Sequence, residues 1–240
     1  MRIGIITFHS VTNYGAALQA YALQQVLKQT GHKVEIINYS PDALTSVYRP
    51  FSLYKYKKMS FKKIVRQFLA EAYHFIDITK KNNAFKSFFK KHYQLSGKEI
   101  KTYKLLLKSK LKYDVCFAGS DQIWNPDITI GFDESYFLKF GNSNMVRATY
   151  AASIGKERFN QSEQLDFLKL LEKIDYISMR ESAVADYVNS ISNSNAITVL
   201  DTTLLLTKND WSICFDFTPV VKQKYIFVYA LYPNEELPKW

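Results

Sequence analysis

Two apolar runs separated by a helical repeat predict a βαβ unit at the start of the chain. Residues 2–8 are almost all apolar, as in a strand buried on both faces of a parallel sheet. Residues 15–29 repeat apolar side chains at helical spacing, and Gly31 follows where a helix would end. Residues 33–39 form a second apolar run. A strand, a helix and a second strand in this order are the building block of doubly wound α/β folds.

The same alternation returns after residue 112. The pattern predicts strands at 113–118, 146–151, 176–179 and 196–200, and helices at 161–173 and 181–190. The expected fold is therefore an α/β fold with a Rossmann-like, doubly wound parallel sheet over residues 1–206.

The last part of the chain has a different pattern. Residues 207–224 show no periodicity and contain Pro219, which predicts a linker. Residues 225–231 are again apolar and predict a strand. Because one strand does not form a domain, we expect residues 225–240 to begin a second α/β domain that is cut short at Trp240.

Residues 55–112 are predicted to be a basic helical insertion. Residues 61–76 place their apolar side chains on one helical face, with Lys62, Lys63 and Arg66 off that face. The insertion carries 17 Lys and Arg against 3 Asp and Glu, whereas the rest of the chain carries 15 against 19. Three interpretations stay open. The insertion is a solvated face, it docks on an anionic membrane or a lipid-linked acceptor, or it binds nucleic acid, although it matches no known nucleic-acid module.

Cysteine usage and the amino terminus point to the cytoplasm. Two cysteines are too few for a disulfide framework, and Cys116 lies in an apolar run, where a buried free thiol is expected. The first ten residues have one basic residue and a short apolar run, so we interpret them as a strand and not as a signal peptide. We expect a cytoplasmic protein, peripheral at the inner face of the cell membrane if the basic insertion docks there.

Five motifs place polar or small residues at predicted strand ends, where open α/β sheets bind ligands. The first, FHSVTNYGA at 8–16, leads into a helix whose N-terminus would hold a phosphate or carboxylate; otherwise it is a plain turn capped by Asn13. The second, GSDQIWNP at 119–126, offers side chains for sugar hydroxyls and Trp124 for a sugar face. Its alternative interpretation is a capping turn closed by Asn125-Pro126.

The other three motifs lie further along the chain. YAASIG at 150–155 has small side chains, which suit either a ligand or a tightly packed loop. SMRES at 178–182 contains Arg180, which either binds a carboxylate or phosphate through both arms of its guanidinium or pairs with an internal acid. LDTTLLL at 200–206 ends a strand with Asp201.

In their order along the chain, NYGAALQAYAL, GSDQIWNP, YAASIG, SMRES and VLDTTLLL resemble the polysaccharide pyruvyl transferase family. The resemblance extends over residues 3–206, and GSDQIWNP is its most specific motif. The family's last motif usually reads Asp-Pro-Thr, whereas this chain has Thr202 in the middle position.

The resemblance implies a GT-B-like architecture of two Rossmann-like halves, of which this chain is the amino-terminal one. It implies transfer of pyruvate from phosphoenolpyruvate, the donor substrate, to two hydroxyls of a sugar or lipid-linked oligosaccharide, giving a cyclic ketal without a further cofactor. A different GT-B-like glycan-modifying transferase and a truncated, non-catalytic sugar-binding remnant are the alternatives. Since half of an interdomain cleft would be absent, we expect these 240 residues alone to be inactive.

The resemblance and the motif positions together give the candidate site. His9, Asp121 and Arg180 are the candidate catalytic residues: Arg180 as an anion clamp, and either His9 or Asp121 as the group that moves a proton. The residues expected to contact substrate all lie in the motifs; they are Asn13, Tyr14, Gly15, Gly119, Ser120, Gln122, Trp124, Asn125, Ser153, Glu181 and Asp201. The sequence shows no metal-ligand cluster.

Overall fold

Six parallel strands in one sheet form the centre of the fold. The computed structural model describes residues 1–57, 59–216, 218 and 221–228. The strands are β1 (Arg2–Ile6), β2 (Lys33–Ile36), β3 (Val115–Asp121), β4 (Val146–Ala152), β5 (Ser178–Met179) and β6 (Ile197–Thr198). They pair in the order β2-β1-β3-β4-β5-β6. The predicted α/β fold with a Rossmann-like parallel sheet is confirmed, whereas the GT-B-like architecture and the domain boundaries stay predictions.

Helices connect the strands. They are α1 (Tyr14–Gln29), α2 (Asp42–Thr45), α3 (Leu53–Tyr56), α4 (Phe61–Tyr73), α5 (Phe75–His92), α6 (Tyr103–Lys108), α7 (Pro126–Thr129), α8 (Gln161–Leu171), α9 (Ser182–Ile191) and α10 (Lys208–Cys214). Short 3-10 helices cover Ser46–Tyr48, Glu134–Phe137 and Thr202–Leu204. Helices α2 to α6 lie between β2 and β3, and the basic helical insertion over 55–112 stays a prediction. The predicted helical face over 61–76 is interrupted at His74, which ends α4 and begins α5.

Contacts divide the chain into two units, Met1–Thr207 and Lys208–Trp240. The first unit contains the whole sheet. In the second unit, Lys208–Cys214 forms α10, so the expectation of an irregular segment was wrong there. The predicted strand at 225–231 begins with four residues that are not in a strand, and its residues 229–231 lie outside the described residues.

The first crossover shows how local sequence sets the fold. The Asn13 side chain accepts a hydrogen bond from Ala16 N at 3.1 Å, which caps α1. At the other end, Gly31 has a φ of +83°, the left-handed conformation in which a chain leaves a helix at little cost. Between these signals α1 buries Ala20 and Leu23. The predicted turn and cap are confirmed.

The strand order places a topological switch point between β1 and β3. After β1 the chain crosses to β2 on one side, and it later returns to β3 on the other side of β1. Loops leaving the carboxyl ends of β1 and β3 therefore diverge and leave a crevice, which is where ligands bind in open α/β sheets.

The outer edge of β2 is covered by an extended segment that follows α5. Ile36 and Tyr39 form isolated parallel bridges with Leu95 and Ile100. Ile36 N donates to Gln94 O at 2.8 Å. The edge of the sheet thus finds its hydrogen-bond partners within the chain.

The central strands β1 and β3 bury apolar side chains in the core. Ile5, Ile6, Cys116 and Ala118 have no exposed surface, and Cys116 is the buried free thiol that the sequence predicts. None of the helices in the described ranges is long and apolar enough to span a bilayer.

Candidate active site at the carboxyl edge of the sheet

Polar side chains from several strand ends meet at the carboxyl edge of the sheet. Parallel strands bring their carboxyl ends to one edge, so motifs distant in sequence become neighbours there. We call this group the strand-end cluster. Its members are Ser120, Asp121, Ser153, Arg180, Glu181 and Asp201.

Arg180 is the cation of the cluster. Its Nε donates to Glu181 Oε1 at 3.0 Å, and its Nη1 lies 3.5 Å from Asp201 Oδ2. Burial alone would lower the pKa of Arg180, but the hydrogen bond and the charge of Glu181, with the charges of Asp121 and Asp201, raise it. The side chain keeps 29% of its surface exposed. Pairing with internal acids, the alternative left open by the sequence, is therefore confirmed.

Asp201 is held by hydrogen bonds on both carboxylate oxygens. Thr203 donates to Oδ1 through its backbone N at 2.9 Å and its hydroxyl at 2.7 Å, and Ser120 Oγ donates to Oδ2 at 3.0 Å. Burial raises the pKa of Asp201, but these bonds and the charge of Arg180 outweigh burial and lower it. Asp201 is therefore a fixed carboxylate.

Asp121 has the opposite environment. It ends β3 with a φ of +81°, and its Oδ1 accepts only from Gln122 N, at 2.8 Å. Burial raises its pKa; the Gln122 bond and Arg180 partly offset this, and the charge of Asp201 adds to the rise. Two neighbouring carboxyl groups whose pKa values move apart are typical of a site that divides acid and base roles.

Close backbone approach shapes the rim of the cluster. Ser153 Oγ donates to Glu181 Oε1 at 3.1 Å and accepts from Gly155 N at 3.1 Å. Gly155 has a φ of +69°, and a Cβ there would overlap the side chains of Gln122 and Asn125. The small residues of YAASIG thus serve tight packing around the cluster.

A buried hydrogen-bond chain fixes the cluster to β1 and α1. Gln19 Nε2 donates to Thr7 Oγ1 at 2.9 Å, and Thr7 Oγ1 donates to Ser120 O at 2.9 Å. Thr202 Oγ1 donates to Gln19 O at 2.9 Å. The chain connects the residues that flank Asp201 and Asp121 to the first crossover.

A cavity of about 400 Å³ opens at the switch point next to Asp121. We call it the switch-point cleft. Its walls come from the loop after β1, the chain from α2 to the following 3-10 helix, and the start of the loop after β3; its polar lining includes Asn13, Tyr48, Asp121 and Gln122. Burial and, to a lesser extent, the charge of Asp121 raise the pKa of the Tyr48 phenol.

A sequence model of the family described as polysaccharide pyruvyl transferase matches residues 13–239. The chain belongs to the polysaccharide pyruvyl transferase family. No curated protein and no solved structure matches the chain. The strand-end cluster draws its members from four of the motifs by which the sequence resembles the family: GSDQIWNP, YAASIG, SMRES and VLDTTLLL.

Thr202 stands where the family motif usually has proline. Its side chain is fully buried, and its hydroxyl donates to Gln19 O, a contact that proline could not make. Asp201 keeps its place as the residue before the 3-10 helix. The departure from the pyruvyl transferase motif therefore leaves the carboxylate in position.

Trp124 does not offer a sugar platform, and this prediction was wrong. The indole is fully buried, stacks on Phe137 at 5.2 Å, and donates from Nε1 to Tyr136 O at 3.0 Å. The most specific family motif therefore uses its tryptophan for the core. Asn125 caps α7 by accepting from Asp127 N at 3.0 Å, as the capping interpretation of this motif predicts.

His9 lies apart from the strand-end cluster. It is 2% exposed, and its ring nitrogens face Thr7 O at 3.3 Å and Asn38 Oδ1 at 3.4 Å. Burial lowers its pKa, against the effect of these two contacts. Both ring nitrogens of this buried imidazole face groups of the protein, so the geometry does not support His9 as the proton carrier.

The start of α1 contributes less than the sequence predicts. Tyr14 is exposed and packs against Phe85 at 4.9 Å, with Lys81 over its ring at 5.6 Å. A Cβ at Gly15 would lie 3.4 Å from the Asn13 side chain, which is an ordinary contact distance, so the space around this residue does not require glycine. Of the three residues of this motif expected to contact substrate, Asn13 lines the switch-point cleft, beside the apolar Phe8, Val11 and Ala16.

Sequence reasoning missed Tyr48, Thr7 and Gln19. Gln19 carried a signal, because it is a polar side chain inside the apolar repeat of α1. Tyr48 carried no such signal, because it lies in the 3-10 helix after α2, far along the chain from Asp121, and only the fold brings both residues to one cleft. In the described part of the chain, no three His, Cys, Asp or Glu side chains are grouped to hold a metal ion.

Proposed function

We propose that the protein transfers the pyruvyl group of phosphoenolpyruvate to two hydroxyls of a sugar, forming a cyclic ketal on a precursor of a cell-surface polysaccharide. Family membership supports polysaccharide pyruvyl transfer in general. One observation carries the detail: Asp121, a carboxyl group with a raised pKa, lies within electrostatic reach of Arg180 and lines the switch-point cleft.

The switch-point cleft suits the acceptor sugar. Its volume of about 400 Å³ falls in the range of small-molecule sites. The amide groups of Asn13 and Gln122 are placed to bond hydroxyls, and the aromatic ring of Tyr48 suits the role expected of Trp124.

Arg180 suits the carboxylate of the donor. Its Nη2 has no hydrogen-bond partner among the described residues, so one arm of the guanidinium is open to a ligand. Three carboxyl groups surround this one cation, and an anionic donor is repelled unless one of them is neutral. Asp121 is the carboxyl whose pKa is raised, so we assign the proton to it.

The proposed reaction balances through Asp121. Its acid form gives a proton to the methylene carbon of phosphoenolpyruvate, which becomes a methyl group. The first sugar hydroxyl bonds to the neighbouring carbon and returns its proton to Asp121. The second hydroxyl oxygen replaces the phosphate at that carbon, and its proton leaves with the phosphate. Nothing is oxidised or reduced, and the carboxyl group is restored without a further cofactor.

We further propose that the acceptor is lipid-linked and that the protein works in the cytoplasm, at the inner face of the membrane. The excess of Lys and Arg over residues 55–112 supports attraction to anionic lipid, and the free thiol of Cys116 supports a reducing compartment. Nucleic acid is not proposed as a partner.

The test uses the protein at the full length that its gene encodes. Incubation with phosphoenolpyruvate and a panel of lipid-linked sugars should release phosphate only when a suitable acceptor is present, and mass spectrometry should find a pyruvyl group on the sugar. Phosphate release without acceptor, or a modified sugar that lacks the pyruvyl group, would identify a different glycan-modifying activity.

A further inference from the structure

Helix α4 carries a row of large apolar side chains on the protein surface. Phe61, Val65, Leu69 and Tyr73 follow each other at four-residue spacing, so they form one ridge along the helix. Their exposed fractions are 79%, 42%, 62% and 85%. Ile76, at the start of α5 three residues after Tyr73, is also 66% exposed. We call these five residues the α4 ridge.

The ridge is exposed because α4 turns another face toward the fold, on which Ile64 is partly buried and the Phe68 ring lies 4.9 Å from that of Phe51. Glu71 is 3% exposed and is the one buried residue of the helix. It accepts hydrogen bonds from Phe51 N at 2.6 Å, Lys55 Nζ at 2.7 Å, Tyr56 Oη at 2.7 Å and Gln67 Nε2 at 2.8 Å. In an ordinary surface helix the apolar stripe faces the core, whereas here the residues of the α4 ridge stay in solvent.

Unpaired cations flank the ridge. Lys62, Lys63 and Arg66 are exposed, and none forms an ion pair within the ranges that the structure describes. Asp77 is the exposed acid nearest in sequence, and it lies on α5. An amphipathic helix with aromatic and aliphatic residues on one face and Lys and Arg beside them is typical of helices that lie in a membrane interface.

We propose that the α4 ridge inserts into the headgroup region of an anionic bilayer while Lys62, Lys63 and Arg66 contact lipid headgroups. The inference rests on the proposed lipid-linked acceptor and deepens it, because insertion would hold the protein where that acceptor lies. A second copy of the chain fits this face less well, since two such faces would bring three cations against three. Nucleic acid would leave the ridge in water.

The test measures sedimentation of the full chain with vesicles. We expect binding to phosphatidylcholine vesicles containing about 30% phosphatidylserine, weaker binding without the anionic lipid, and residual binding at about 1 M salt, where charge attraction is screened. The variant Phe61→Gln/Leu69→Gln should lose the salt-resistant part and bind at least about tenfold more weakly. Replacing the three cations by Gln should weaken binding to anionic vesicles on the order of 100-fold.

The matched control is Leu105→Gln on α6, a substitution of a leucine that is 50% exposed. It should leave vesicle binding unchanged, and the circular dichroism spectrum should confirm that every variant folds. Binding that disappears at high salt in the unchanged chain means attraction by charge alone and overturns insertion. A dimer that Phe61→Gln/Leu69→Gln dissociates, or RNA binding without vesicle binding, also overturns it.

The two proposals fail separately. If insertion is wrong, turnover with a water-soluble acceptor is unaffected, and vesicle binding is absent or disappears at high salt. If pyruvyl transfer is wrong, vesicle binding is present and no acceptor receives a pyruvyl group.

Discussion

Asp121 and Asp201 occupy one sheet edge, yet their immediate neighbours move the pKa values of the two carboxyls in opposite directions. Asp201 has hydrogen-bond donors on both oxygens, whereas Asp121 is buried with one backbone donor and faces the charge of Asp201. The difference arises in the residues after each carboxyl: Thr203 donates twice to Asp201, whereas Gln122 donates once to Asp121. This difference is the reason that the proposed mechanism assigns proton transfer to Asp121, while Asp201 pairs with Arg180.

Asp121→Asn tests this assignment. We expect kcat to fall by about 10²- to 10⁴-fold with little change in acceptor KM, because the amide cannot transfer the proton. The active form carries a proton, so activity should fall as pH rises through the raised pKa of Asp121, and this limb should vanish in the variant. Rates measured across pH check both points.

The control for Asp121→Asn is Asp166→Asn on α8, where the side chain is 61% exposed and pairs with Lys169. Its rates should match the unchanged enzyme. An Asp121→Asn enzyme that retains more than about a tenth of the original kcat would remove Asp121 from the proton-transfer role.

Position 119 requires glycine for two reasons, its left-handed backbone conformation and the lack of space for a Cβ. Gly119 and Gly97 have φ values of +120° and +121°, but a Cβ would overlap Tyr150 O at Gly119 and meet nothing within 4 Å at Gly97. We expect Gly97→Ala to lower the free energy of unfolding by about 1–2 kcal/mol, and Gly119→Ala by about 3–5 kcal/mol. Urea denaturation measures both, and equal losses would show that the Tyr150 contact does not matter.

At the scale of elements, α4 shows that apolar periodicity predicts a helix but not the direction in which the helix faces. The apolar stripe over 61–76 predicted a helix correctly, but a stripe does not say whether it faces the core or the solvent. Glu71 decided the orientation, because its four donors come from α4 itself and from residues 51–56. By contrast, β1, α1, β3 and β4 were predictable, since their apolar runs and cap residues were local signals.

Glu71→Gln should loosen α4. Burial raises the pKa of Glu71, but the hydrogen bonds from Lys55, Gln67, Phe51 N and Tyr56 outweigh it and lower the pKa from 4.5 to about 2. A carboxyl with a lowered folded-state pKa stabilises above its unfolded pKa, and this contribution disappears as pH falls through the folded one. We therefore expect the variant to lose about 2–3 kcal/mol of unfolding free energy at pH 7 and much less near pH 2.

Denaturation of both proteins between pH 7 and pH 2 measures that difference. Glu99→Gln is the control, because its side chain is 46% exposed and pairs with Lys101, and exposed pairs contribute less than about 1 kcal/mol. A difference between the Glu71 variant and the unchanged protein that stays constant over this range would mean that the carboxylate charge is not what anchors α4.

At the scale of the whole molecule, one sheet gathers motifs that are up to about 190 residues apart in the chain. The sequence predicted this gathering in outline, because each motif follows a predicted parallel strand. It did not predict the cleft wall at Tyr48 or the burial of Trp124, since both depend on contacts between distant segments. The fold was therefore more predictable than the site.

The unit Met1–Thr207 holds the six strands of the described residues and the whole strand-end cluster. We therefore expect a chain ending at Thr207 to fold and to unfold in one cooperative transition, followed by circular dichroism. A chain ending at residue 195, which lacks β6 and Asp201, is the comparison and should melt at a clearly lower temperature or not fold. Loss of cooperativity in the longer fragment would show that residues after Thr207 belong to the same folding unit.

The segment that covers β2 has a consequence for aggregation. Sheet edges with free backbone groups are templates for strand addition by other chains. On the β2 side the partners are already taken by residues 94–100, and on the other side β6 offers only Ile197 and Thr198. A foreign strand must therefore displace seven residues of this chain or grow from a two-residue template. We expect the folded protein to resist fibril formation at high concentration, even with an apolar ridge on its surface.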